Sequence, residues 1–181
     1  MSAQAWKRTA SSRAKTIAKG IGLSRGGMDS HSDRTFFVTS VTWQRRELFR
    51  REKTARLFLE TLFAYREREL FQLYEFVVMP DHFHPLIAPK ATIAVERAMQ
   101  FIKGGFSHRF MKETGSKMEI WERSFTNHRI PDERDYEKHR RYIQENPVRA
   151  GFVKVSRDYP YSSAHSGFLL EEAPQRLKPV A

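Results

Sequence analysis

Two histidines one residue apart, His82 and His84, and a tyrosine followed four positions later by an asparagine, Tyr142 and Asn146, are the side chains best suited to chemistry in this sequence. On a β-strand, residues two apart point to the same face. The imidazoles of His82 and His84 would then stand side by side while Phe83 turns to the opposite face. Two neutral imidazoles at that spacing can share a divalent metal ion; the plainer reading is a pair of surface histidines in a hairpin. On a helix, Tyr142 and Asn146 share a face. Asn146 could lend its side-chain oxygen to the metal beside the Tyr142 hydroxyl; otherwise Tyr142 is a boundary aromatic and Asn146 a helix cap. The chain contains no cysteine. Disulfides, thiol nucleophiles and Cys-ligated zinc are therefore excluded, and a metal held by these histidines and Asn146 has only nitrogen and oxygen ligands.

These residues need elements to position them. Residues 35–43 are rich in β-branched and aromatic side chains and read as a first strand. Over 50–69, Leu57, Phe58, Thr61, Leu62 and Tyr65 recur at helical spacing, with charges opposite. Residues 71–79 form a second strand, Pro80-Asp81 a turn, and 82–88 a third strand, so the histidine pair opens the second arm of a hairpin. A second helix spans 92–113, weakened by Gly104-Gly105. A fourth strand is expected within 120–130 and a third helix over 132–145. In that helix acidic residues come early and basic ones late, as the dipole favours. Pro147 is expected to end it, which sets Asn146 at or just past the last turn. The order β-α-β-β-α-β then helix is that of an α+β, ferredoxin-like antiparallel sheet with helices on one face and the other face free to bind.

The chain has 181 residues and a formal net charge of +11, from 32 Lys and Arg against 21 Asp and Glu. That length suits one principal domain, and a charge of this sign attracts polyanions. Six of the positive charges (Lys7, Arg8, Arg13, Lys15, Lys19, Arg25) precede the first acidic residue, Asp29, leaving net +5 for the rest. Residues 1–33 therefore read as a basic flexible arm, 34–168 as the folded body and 169–181 as a loose polar tail. No apolar run approaches the roughly 18 residues of a membrane span. The N-terminus lacks the apolar core of a secretory signal. A soluble cytoplasmic protein is expected, with no membrane partner.

Five segments occur in order: Phe36-Phe37-Val38-Thr39, Val78-Met79-Pro80-Asp81-His82-Phe83-His84, Ile120-Trp121-Glu122-Arg123-Ser124-Phe125, Tyr142 through Gly151, and Tyr159-Pro160-Tyr161-Ser162-Ser163. Together they resemble the IS200-like single-tyrosine HUH transposases, most of all the REP-associated tyrosine transposase branch, over about residues 34–168. The resemblance implies cleavage and strand transfer of single-stranded DNA beside small hairpins, through a 5′-phosphotyrosine and a free 3′-OH. It implies Tyr142 as nucleophile and His82, His84 and Asn146 as ligands of Mg²⁺ or Mn²⁺, in a monomer or homodimer. Two positions depart from the family pattern. Pro85 follows the histidines where an aliphatic residue is usual, which predicts a bulge or a local edge there. Pro131 replaces an arginine, a phosphate contact that Arg129 could supply.

Candidate phosphate contacts are Arg25 in the arm, Arg45, Arg46, Lys103, Arg109, Arg129, Lys138 and Arg141, with Arg140 and His108 as further possibilities. Trp43, Trp121 and Phe125 either stack on bases or fill the core. A non-catalytic nucleic-acid-binding module of the same fold is the rival reading. A two-histidine phosphoesterase is weaker, because a second H-x-[ST] motif is missing.

Overall fold

The structure is a computed structural model that describes residues 34–174 and Leu177. The arm 1–33, Arg25 included, lies outside the described residues. Four strands, β1 (Thr35–Val41), β2 (Phe71–Met79), β3 (His82–Pro89) and β4 (Thr126–Ile130), form one antiparallel sheet in the order β2-β3-β1-β4. Helices α1 (Glu52–Glu67) and α2 (Val95–Thr114) connect β1 to β2 and β3 to β4, and a tight turn joins β2 to β3. Helix α3 (Glu133–Arg149) follows β4. This is the expected ferredoxin-like order.

Alternation along the strands divides the interior into two layers. Phe36, Val38, Phe83 and Ile87 face α1 and α2, packing with Phe58, Leu62, Met99, Ile102 and Phe106. Leu86, Ala88, Val77 and Met79 face the other way and pack with Tyr136, Ile143 and Tyr159. The second face is thus covered by α3 rather than free. An amphipathic helix with buried Tyr136, Ile143 and Pro147 must place that stripe somewhere, and the sheet supplies the surface. Among the described residues no helix is long and apolar enough to cross a membrane.

Three local features differ from the sequence expectation. Pro147 lies inside α3, which runs on to Arg149. The proline ring continues the buried stripe one turn after Ile143, and only two helical residues follow it, so the missing N–H disturbs little. Gly151, at φ 75°, then ends the helix, with its N–H on the Val148 carbonyl. Second, β3 is continuous through Pro85 and internal to the sheet. The register Phe37↔Leu86 and Ser40↔Phe83 sets Pro85 opposite Val38, where the proline withholds one donor. The sheet's irregularity lies instead on β2, where Leu73 pairs with Ile87 but Glu75 with Leu86. That bulge turns both Tyr74 and Glu75 toward α3. Third, β4 is shorter than expected. Trp121 makes only an isolated bridge with Thr42 and buries its ring among Phe49, Phe58 and Phe106, so Glu122–Phe125 leave the sheet.

The outer edge of β2 is closed by the segment Tyr161–Ser163, which exchanges hydrogen bonds with Phe76 and Val78. Beyond 168, expected to be loose, Glu171 accepts from Arg66 Nε at 2.9 Å and from the Leu73 N–H at 3.0 Å. A charge-assisted pair this far from full exposure holds the chain there.

Candidate active site

His82 and His84 leave the turn at Pro80-Asp81 on the α3 side of β3, while Phe83 enters the opposite core. Their ring centroids are 4.8 Å apart. Each Nδ1 is engaged: His82 Nδ1 with Asp81 Oδ1 at 2.6 Å, and His84 Nδ1 with Thr39 Oγ1 at 2.9 Å. With Nδ1–H donating in each ring, both Nε2 atoms keep a lone pair, the tautomer a metal ligand requires. His84 Nε2 is buried with no hydrogen-bond partner. Burial, reinforced by the His82 charge, pushes the His84 imidazole down to about 3, against opposing effects of the Val38 carbonyl and Asp81. A buried, neutral, partnerless imidazole nitrogen beside a second histidine fits a divalent cation.

Asp81 is the support for this pair. Burial alone would raise its pKa, but hydrogen bonds and charge from His82 and then Arg45 outweigh burial and hold the carboxyl below its ordinary value. Arg45 Nη1 donates to Asp81 Oδ2 at 2.9 Å. The backbone is fixed separately: the Asp81 carbonyl accepts from both the N–H and Oγ1 of Thr42.

Tyr142 meets the pair from α3. Its ring lies 5.4 Å from His84, edge-on, and 5.8 Å from Phe37. It is 37% exposed, open enough for a polymeric substrate. The Arg149 guanidinium sits 5.6 Å over the ring. A groove of about 560 Å³ opens beside it, lined among others by Phe37, Lys138, His139, Arg141 and Arg149. Helix α3 is anchored on its other side by Glu75, which accepts from Arg140 Nε at 3.0 Å, from Gln144 Nε2 at 3.2 Å and from the Ser163 hydroxyl. These anchors lie two residues before and two after Tyr142. Asn146 is half-buried one turn beyond Tyr142 on the same helix.

The structure thus brings His82, His84 and Tyr142 together. Of the candidate phosphate contacts, Lys138 and Arg141 are exposed in the groove beside Tyr142, and Arg129 is exposed on β4. Arg45 adjoins the site through Asp81, and Arg46 is half-buried nearby in sequence. Lys103 and Arg109 belong to α2, across the sheet. Lys103 Nζ donates to the Glu122 carbonyl, and burial lowers its pKa despite Glu122. Arg109 is held by Glu60 and Thr61. Arg140 is committed to Glu75, and Trp121 to the core. Sequence reasoning passed over Asp81, Thr39, Phe37 and Arg149. Asp81 could have been found as the carboxylate adjoining the H-x-H, and Arg149 as the cation two turns after Tyr142. Thr39 carried no signal until the sheet register was known.

Residues 32–146 match the family described as IS200-like transposase. The chain belongs to the IS200-like transposases. A Haemophilus influenzae protein named as a REP-associated tyrosine transposase is 31% identical over 115 residues, 58% of this chain and 65% of that protein. The REP-associated tyrosine transposase of Escherichia coli K12 is 34% identical over 96 residues, 52% of this chain and 55% of that one. The matched stretch therefore spans less than two thirds of either relative. A solved structure of a REP-associated tyrosine transposase bound to a REP hairpin superposes with a TM-score of 0.63 at 26% identity, covering 81% of this chain and 84% of that one. This IS200-like transposase carries its histidine pair, its tyrosine and most of α3 inside the matched region.

Proposed function

We propose that this protein cleaves and rejoins single-stranded DNA at hairpin-forming repeats, with Tyr142 as nucleophile and His82, His84 and Asn146 as holders of a Mg²⁺ or Mn²⁺ ion. The observation that carries the reading is the convergence of Tyr142 on a histidine pair whose buried Nε2 is left without a partner. Family membership and the hairpin-bound relative support it.

The Tyr142 oxygen attacks the scissile phosphorus and loses its proton. The P–O3′ bond breaks, the 3′ oxygen takes up a proton, and the 5′ phosphate remains joined to the tyrosine. A second 3′-OH reverses the step, so phosphodiester is exchanged for phosphodiester and rejoining needs no ATP. When bound, the metal polarises the phosphate and offsets charge in the transition state. Phenols ionise near pH ~10, so positioning carries much of the burden. Phe37 and Arg149 bracket the Tyr142 ring, Glu75 fixes its helix, and Lys138 and Arg141 line the path of the strand.

The test is incubation of the protein with hairpin-bearing single strands and Mn²⁺, followed by denaturing electrophoresis. A DNA–protein adduct is expected for the native protein, none for Tyr142→Phe, and none in EDTA. An adduct that survives Tyr142→Phe overturns the assignment. Full-affinity binding with no adduct on any strand favours the binding module.

A further inference from the structure

A second cluster of ligand-type side chains lies on the α3 side of the sheet, apart from the histidine pair. His128 comes from β4; Asp135 and His139 are one turn apart on α3. One ligand atom from each lies within 4.8 Å of the others. His128 Nε2 is 2.6 Å from Asp135 Oδ2, and His139 Nδ1 is 3.4 Å from Asp135 Oδ1. His139 Nδ1 also lies 2.9 Å from the Asp135 carbonyl. That contact needs Nδ1–H, so an ion taken up through His139 Nδ1 replaces this hydrogen bond. The Phe37 ring separates the two clusters, packing at 5.2 Å on His84 and at 4.6 Å on His139.

We infer that His128, Asp135 and His139 form a second divalent-cation site. Ligand bonds of about 2.0–2.2 Å in a tetrahedral arrangement require neighbouring ligand atoms roughly 3.3–3.6 Å apart. The 3.4 Å from His139 Nδ1 to Asp135 Oδ1 falls within that range and the 2.6 Å from His128 Nε2 to Asp135 Oδ2 lies below it, so an entering ion parts the close pair by small side-chain rotations. Two imidazoles and one carboxylate suit Zn²⁺ and similar transition ions better than Mg²⁺, which prefers oxygen. Asp135 and His139 are largely shielded, whereas His128 is about half exposed, giving the ion a route in and water a fourth position. An ion held here fastens the short edge strand β4 to the helix that carries Tyr142, three residues after His139. This inference is independent of the proposed DNA chemistry.

The experiment is calorimetric titration of the full chain with Zn²⁺ alone, in a buffer that binds no metal. The His82→Ala variant is expected to retain one ion at this cluster. Adding His128→Ala should weaken that binding at least tenfold, and the thermal stabilisation by Zn²⁺ should disappear with it. Because the His128 side chain is half exposed, its truncation leaves the core intact, which circular dichroism checks. If His82→Ala fails to fold, the native protein is compared with His128→Ala: a stoichiometry lower by one supports the site. Unchanged Zn²⁺ affinity and stoichiometry on removing His128 overturns it.

Discussion

Truncating Asp81 should separate metal affinity from the chemistry that follows. In Asp81→Ala, His82 loses the carboxylate that holds its Nδ1 at 2.6 Å, while the backbone hydrogen bonds from Thr42 to the Asp81 carbonyl persist and the turn keeps its shape. Supporting groups of this kind are worth about 10–100-fold in metal affinity, or about 1.4–2.8 kcal/mol. The Asp81 side chain is largely shielded, at 19% exposed, which favours the upper half of that range. The assay is adduct formation on a hairpin strand as a function of Mn²⁺. The half-saturating concentration should rise by about 10–100-fold, with the rate at saturating Mn²⁺ returning to within a few-fold of native. Arg45→Ala removes a partner that is 71% exposed, so it should move the midpoint far less. A native midpoint in Asp81→Ala, or a loss that Mn²⁺ does not rescue, would refute the assignment of Asp81 as support for His82.

Other expectations follow from the packing. Glu75→Gln should cost about 1.5 kcal/mol, because Arg140 reaches water once the carboxylate is gone. Arg140→Ala should cost more, about 3 kcal/mol, because it strips the counter-charge from a buried carboxylate; urea unfolding of both variants and the double variant measures the difference. Gly104→Ala should stabilise by up to about 1 kcal/mol, since a Cβ there meets nothing within 4 Å. Gly105→Ala should destabilise, since its Cβ would lie 2.3 Å from the Tyr65 ring; thermal melts distinguish the two. In EDTA, His84 should make stability pH-dependent. Its pKa is depressed from 6.5 to about 3, so the unfolded chain takes up the proton first. The neutral-state contribution is complete above about 6.5 and declines from there toward 3. Urea midpoints at pH 7 and pH 5 should differ less in His84→Gln than in the native chain.

Much of this was legible in the sequence, for identifiable reasons. The strands and helices of the ferredoxin-like order announce themselves by period: Phe36 and Val38 alternate with Phe37 and Thr39, while Val95, Met99, Ile102 and Phe106 keep helical spacing. The pairing of His82 with His84 followed from strand geometry alone. What escaped was set by tertiary competition. Pro147 reads as a stop signal, yet burial of its ring outweighed one lost hydrogen bond. Pro85 reads as an edge signal, yet the register places it within an internal strand, where the missing donor is tolerated. The apolar stripe of α3 was visible, but which sheet face it covers was not. Charges were the least legible, because a cation bound to a neighbouring acid looks the same in sequence as one facing solvent: Arg109 and Arg140 are spent on Glu60 and Glu75, whereas Lys138 and Arg141 remain in the groove.

The irregularity in β2 has a consequence for tolerance of length change. Before the bulge the odd positions Phe71 and Leu73 face α1 and α2; after it the even positions Phe76 and Val78 do. The strand therefore changes parity once, and Tyr74 is the supernumerary position. Its removal would restore strict alternation while keeping Glu75 and everything after it on the faces they now occupy. Loss of a residue elsewhere in the strand would invert one side of it. A one-residue deletion at Tyr74 would thus leave the turn at Pro80-Asp81 and the histidines beyond it in register. The cost of that shortening would fall on the packing of α3, which would lose the buried Tyr74 ring beside Tyr136, and not on the alternation of the strand.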